Sequence, residues 1–227
     1  MVDGKVMNSL NVFYEDNHLI VVEKKPNILS QSDSTNDIDM LTLVKNYIKE
    51  KYNKPGNVYL GLVHRLDRPV GGIMVFAKTS KAASRLSEQV RNHTFKKTYL
   101  AVVRGKLEKK EDTYVDYLKK LDNGNTIVTN ESDGKLSELS YRVLGYNEND
   151  NTTLVEINLK TGRHHQIRVQ FSSRGYPLCG DQRYGILDKT QIALYAYKLE
   201  FKHPTTKEIM NFQNVSINNQ YLSKFTL

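Results

Sequence analysis

Gly61-Leu62-Val63-His64-Arg65-Leu66-Asp67-Arg68-Pro69-Val70-Gly71-Gly72 sets one carboxylate between two arginines and closes with proline and two glycines. Guanidinium groups on both sides favour the charged form of such a carboxylate. Pro69, Gly71 and Gly72 mark a tight turn that lets another backbone approach closely. Asp67 is the first candidate for chemistry.

Around this loop the periodicity alternates between helix and strand. Upstream, His18 to Glu23 is a β-branched apolar run bounded by polar residues and ended by Pro26, which predicts a buried strand. Leu41, Val44, Ile48 and Tyr52 step by three and four residues, so 41–52 is predicted to be a helix stopped by Pro55-Gly56. Downstream, Ile73 to Ala77 reads as a core strand. Thr79 can cap a helix that turns Ala82, Ala83, Leu86 and Val90 inward. The run from Lys97 to Val103 reads as a further strand.

The rest of the chain is built from hairpins. Asp122-Asn123-Gly124-Asn125 has the turn chemistry to join two strands between Tyr114 and Thr129. Asn147 to Asn151 can join Leu139–Tyr146 to Thr153–Leu159, and His203-Pro204-Thr205-Thr206 can join Ile192–Phe201 to 208–215. Between them, His164 to Arg174 has a helical period, with Thr161 as its N-cap, Ile167 and Phe171 on its inner face and Gly175 as its stop. Consecutive hairpins with few helices predict an α+β fold with a mixed, largely antiparallel central sheet flanked by helices and loops.

Composition narrows the function classes. The 33 lysines and arginines against 25 acids give a charge of +8, which suits a polyanionic partner. Fourteen tyrosines offer faces on which bases can stack. Basic residues gather after the Asp67 loop (Lys78, Lys81, Arg85, Arg91, Lys96, Lys97) and again at Arg163, Arg168, Arg174 and Arg183. No apolar run approaches the roughly 18 residues of a spanning helix, and Met1 to Asn11 lacks the pattern of a secretory signal. A cytoplasmic protein with no membrane association is expected. Cys179 is the only cysteine, which excludes an internal disulfide and a multi-thiolate zinc site, and reads as a packed hydrophobe.

Three separated segments resemble the RluA-type RNA pseudouridine synthases. They are His64-Arg65-Leu66-Asp67-Arg68-Pro69-Val70-Gly71-Gly72, Lys97-Thr98-Tyr99-Leu100-Ala101-Val102-Val103-Arg104-Gly105 and Lys160-Thr161-Gly162-Arg163-His164-His165-Gln166-Ile167-Arg168. Gly180-Asp181-Gln182-Arg183-Tyr184-Gly185 also fits. The order is right, and the likeness runs from about Tyr14 to the last hairpin.

The resemblance implies a single catalytic domain over 12–227, preceded by a short extension, 1–11, without the S4-like domain of many relatives. It implies an isomerase of uridine in structured RNA, ribosomal or transfer, that uses no cofactor and no metal. Asp67 takes the place of the essential aspartate, whether as nucleophile or as base. Arg163 matches the arginine that pairs with it, and Tyr99 the tyrosine that stacks on the target base. Arg65 matches the arginine that enters the RNA stack when the nucleotide is flipped out. Lys97 and Arg168 are expected at phosphates, and Ile167 beneath the pocket. A monomer is expected.

Two departures bear on the substrate. Arg68-Pro69-Val70-Gly71-Gly72 replaces a more polar run found in many members, and Gln170 stands where many have histidine. A non-catalytic RNA-binding protein on the same fold is the alternative, but it leaves Asp67, Tyr99 and Arg163 without a common reason. A metal-dependent hydrolase using His64, Asp67, His164 and His165 is disfavoured, because neighbouring histidines on a helix point about 100° apart.

Overall fold

The computed structural model describes residues 10–35 and 37–226. Most of the expected extension, residues 1–9, lies outside them. The chain divides into two compact units. The first runs up to Phe95 and takes in Lys198–Gln213; the second holds Lys96–Tyr197 and the residues from Asn214 on.

In the first unit β1 (Val12–Glu15), β2 (Leu19–Lys24) and β4 (Gly71–Ala77) lie side by side and antiparallel, and the short β3 (Gly61–Leu62) also pairs with β4. β2 and β4 are apolar almost throughout, because both faces are covered. On one face Leu19, Val21, Ile73, Val75 and Ala77 meet Ala82 and Leu86 of α2 (Ser80–Arg91). The alternate positions Ile20, Val22, Met74 and Phe76 are fully buried as well. Helix α1 (Met40–Lys51) buries Met40, Leu43, Val44 and Ile48. Of the expected face Val44 and Ile48 are buried, whereas Leu41 is only half-buried and Tyr52, past the last turn, is exposed. The Thr79 hydroxyl accepts the Ala82 N–H, so the expected cap forms.

In the second unit the order is β5 (Lys96–Arg104), β9 (Thr152–Leu159), β8 (Lys135–Asn147), β6 (Glu111–Lys120) and β7 (Thr126–Thr129), all antiparallel. The Asn123-Gly124 turn and the Asn147–Asn151 turn join the strands they were expected to join. The third hairpin also forms, between β10 (Leu194–Lys202) and β11 (Ile209–Gln213), and its paired residues belong to the first unit. Cys179 is fully buried beside Leu100, Val102 and Leu154, and burial pushes its thiol up to about 11. It is the packed hydrophobe that was expected.

One helix starts later than its period suggested. Helix α3 covers Gln166–Ser172 rather than His164 to Arg174, because His165 takes a left-handed conformation at φ 53°. Thr161 is therefore not its N-cap. Its hydroxyl accepts the Glu138 N–H at 2.8 Å and donates to Gln166 Oε1 at 2.8 Å, tying the loop to β8. Phe171 locks the helix down against Tyr114 and Tyr141, with ring centres 5.1 and 5.5 Å away.

Candidate active site

Within the first unit, the loop carrying Asp67 is held by its backbone. Val70 N–H donates to Asp67 O at 3.0 Å, closing a turn with Arg68 and Pro69 at its centre. Gly72 follows at φ 145°, a conformation open to glycine and strained for other residues. The Ser30 hydroxyl donates to Leu66 O at 2.8 Å and accepts the Leu66 N–H at 3.0 Å. Arg68 O accepts the Asn27 N–H at 2.8 Å. Beyond the loop's other end, Nε2 of the buried His64 accepts the Val75 N–H at 3.1 Å. The residues on either side of Asp67 are thus fixed, and Asp67 itself is half-buried.

Both flanking arginines are exposed. Arg68 turns its guanidinium to Asp37, 2.7 Å away in a half-exposed pair. A buried cation stands beneath the loop instead. Lys24, with no exposed surface, places its ammonium 2.7 Å from Val70 O, 3.0 Å from Arg68 O and 3.3 Å from Lys25 O. Burial pushes this ammonium down to about 7, the Asp67 carboxylate pulls it up and Arg68 pushes it down. No pattern in the sequence singled out Lys24.

The second unit holds the other expected residues. Lys97 and Tyr99 lie on β5, opposite Leu159 and Ile157 of β9, so Lys97 stands beside the start of the Lys160–His165 loop. A Cβ on Gly162 would come within 3.0 Å of Lys97 Nζ, which is how closely the amine approaches that backbone. Burial holds the Lys97 ammonium below its ordinary value. Tyr99 is buried. Arg163 is exposed and lies before α3, not in its first turn; its Nε donates to Leu136 O at 3.0 Å and its N–H to Gln166 Oε1 at 3.0 Å. Its direction comes from β8 and Gln166.

Arg168 departs furthest from expectation. Only 5% exposed, it forms a forked pair with Asp181, Nε to Oδ2 at 2.8 Å and Nη2 to Oδ1 at 2.7 Å, with its guanidinium 5.1 Å from the Tyr184 ring centre. Asp181 also accepts the N–H groups of Arg183 and Tyr184. The guanidinium is thus engaged inside the protein by a buried carboxylate. Ile167, beside it, is buried in α3.

Gln170 is also fully buried, and its amide donates to Asp116 Oδ2 at 2.7 Å. His164 and His165 place their ring centres 3.7 Å apart, with His164 Nδ1 2.9 Å from the Thr126 hydroxyl and His165 Nδ1 2.7 Å from the Tyr184 hydroxyl. Burial, with Arg168 adding to it, drives His165 down to about 2, which keeps the ring neutral at ordinary pH. Among the described residues no group of three or more His, Cys, Asp or Glu side chains is placed to hold a metal ion.

A family model described as RNA pseudouridylate synthase matches residues 18–173. The chain is 33% identical over 204 residues to the uncharacterized RNA pseudouridine synthase YhcT of Bacillus subtilis (strain 168), covering 88% of this chain and 67% of that protein. It is 34% identical over 218 residues to the ribosomal large subunit pseudouridine synthase D of Nitrosomonas europaea, covering 90% and 61%. The chain thus spans about two thirds of the length of these curated relatives.

Among solved structures, human RNA pseudouridylate synthase domain containing 4 is similar with a TM-score of 0.78 at 18% identity, covering 94% of this chain and 91% of that one. Domain containing 1 has a TM-score of 0.73 at 22% identity, covering 92% and 84%. At such identities the likeness speaks for the fold, and the family follows from the sequence matches. The motif order around Asp67, Tyr99 and Arg163, the family model over 18–173 and relatives at 33–34% identity agree: the chain belongs to the RluA-type RNA pseudouridine synthases, a family of isomerases.

Proposed function

We propose that the protein converts a specific uridine in structured RNA, ribosomal or transfer, to pseudouridine, with Asp67 as the essential group. The observation that carries this reading is the loop itself. A half-buried carboxylate stands on a turn whose neighbouring peptide groups are held by Ser30, Asn27 and Lys24, inside the stretch matched to the family. A reacting carboxylate needs such fixed placement, whereas a surface aspartate does not.

The reaction is an isomerisation. The C1'–N1 bond breaks, the base turns while it is held, and C5 joins C1', with the proton of C5 passing to solvent and N1 taking one up. Asp67 acts on the sugar or the base during these steps. Taking the nucleotide out of its stack costs about a few kcal/mol. The exposed, planar guanidinium of Arg65 is suited to fill the gap. Tyr99 supplies a ring for the base, Arg163 a guanidinium for the reacting site and Lys97 a cation for phosphate. Ile167 and Arg168 act from below, by packing and bracing the loop. The proposal takes the protein to work as a cytoplasmic monomer without cofactor or metal. Among the described residues no helix is long and apolar enough to cross a membrane.

A pseudouridine map of total RNA from cells with and without this chain tests the reading. A site that vanishes on deletion and returns only with intact Asp67 supports it and names the substrate. Purified protein that binds RNA and forms no pseudouridine would instead establish an RNA-binding protein on the same fold.

A further inference from the structure

Lys24 is the largest charged side chain that the core takes in completely, and its surroundings match an ammonium group. An ammonium has three N–H donors and no acceptor. Three carbonyls face it, from Lys25, Arg68 and Val70. The register sets this up: Lys24 at the end of β2 pairs with Gly72 at the start of β4, so its side chain lies under the turn that leads into that strand. A methionine would fill similar space without the cost of burying a charge. What the apolar side chain cannot do is gather the carbonyls one and three residues after Asp67. The charged groups that act on Lys24 are the Asp67 carboxylate and the Arg68 guanidinium, and the latter is turned to Asp37.

We propose that Lys24 is a positioning residue for Asp67: its ammonium ties down the carbonyls of Arg68 and Val70, fixing the backbone from which the carboxylate projects and adding a buried positive charge beside it. This rests on the reading of Asp67 as the essential group. Burial brings the ammonium to about 7. Loss of its proton would remove one donor and the charge, so the rate falls as pH rises through that region.

The test is Lys24→Met in the full chain, followed by amide hydrogen exchange, RNA affinity and single-turnover rate. Val70 reports on the loop, because its N–H donates to Asp67 O. The expected result is about a tenfold loss of protection at Val70, with Val102 and Leu154 of the second unit unchanged. The rate should fall by about tenfold or more at nearly constant RNA affinity, and the alkaline limb of the wild-type pH profile should disappear.

Unchanged Val70 protection in the folded variant overturns the proposal, as does a slowed variant that keeps the wild-type pH profile. If Lys24→Met does not fold, the wild type decides. Its Val70 protection relative to Leu154 should drop between about pH 6 and pH 8.5, and a constant ratio overturns the proposal. Hydrogen exchange needs neither RNA nor turnover. A wild type that forms no pseudouridine would refute the functional reading while the question of what holds the loop is still answered.

Discussion

The ammonium of Lys24 and the carbonyl oxygen of Val70 meet at 2.7 Å across 46 residues of chain. This bond joins the end of β2 to the turn that presents Asp67, so the candidate active site is anchored in the most deeply buried strands of its unit.

The stability of the protein should carry the mark of that burial. With the Lys24 pKa near 7 in the folded protein and 10.5 in the unfolded chain, the unfolded state binds more protons between these values. Its contribution to unfolding free energy therefore rises with pH from about 7 to 10.5 and is level below 7. Chemical denaturation of wild type and Lys24→Met across this range should show a difference that changes in that sense. A difference constant with pH would refute the assignment.

Asp67→Asn keeps the shape of the loop and removes the charge. It should bind RNA within about twofold of wild type and form no pseudouridine. Appreciable turnover by this variant would refute the role given to Asp67.

Ser30→Ala removes the hydroxyl that serves both backbone groups of Leu66. Two buried peptide groups would lose a partner, at about 1–3 kcal/mol each. Urea denaturation should show a loss of about 2–6 kcal/mol in all, together with a lower kcat at nearly unchanged KM.

Arg65 and Arg168 should separate cleanly. Arg168→Ala strands the buried Asp181 and should destabilise the protein by about 3–5 kcal/mol. Arg65→Ala, at an exposed position, should leave stability within about 0.5 kcal/mol and weaken RNA binding. Equal stability of the two variants would contradict the bracing role.

Gly162→Ala would bring a methyl group to about 3.0 Å from Lys97 Nζ. The amine ends a flexible side chain and can move aside, so folding should be little affected. RNA affinity should fall and lose salt dependence by a slope of about 0.7, the share of one phosphate contact with a single strand.

The hairpins and the Thr79 cap were legible because each depends on neighbours in sequence. The Asn123-Gly124 turn, the Thr79 cap and the burial of Val44 and Ile48 are local chemistry, and each stands where its pattern placed it, while Leu41 and Tyr52 of the same stepping are not buried. The pattern failed at His164–His165, where the period looks helical but His165 adopts a left-handed conformation and the loop bonds to Glu138 and Gln166 instead. Adjacency to Asp67 also says nothing about where the long side chain of Arg68 turns, and it reaches Asp37.

By itself, the sequence determined the α+β class, the hairpins and the buried strands β2, β4 and β5, though not β1 or β3, and through its resemblance to the family the candidacy of Asp67, Tyr99 and Arg163, because turn chemistry, periodicity and motif order are written in adjacent residues. Only the tertiary structure decided that Lys24 lies under the Asp67 turn, that Ser30 holds Leu66 from 36 residues away and that Arg168 is locked to Asp181. A lysine beside another lysine at a strand end looks solvated until the register of β2 on β4 buries it, and that register comes from packing two apolar strands between covered faces.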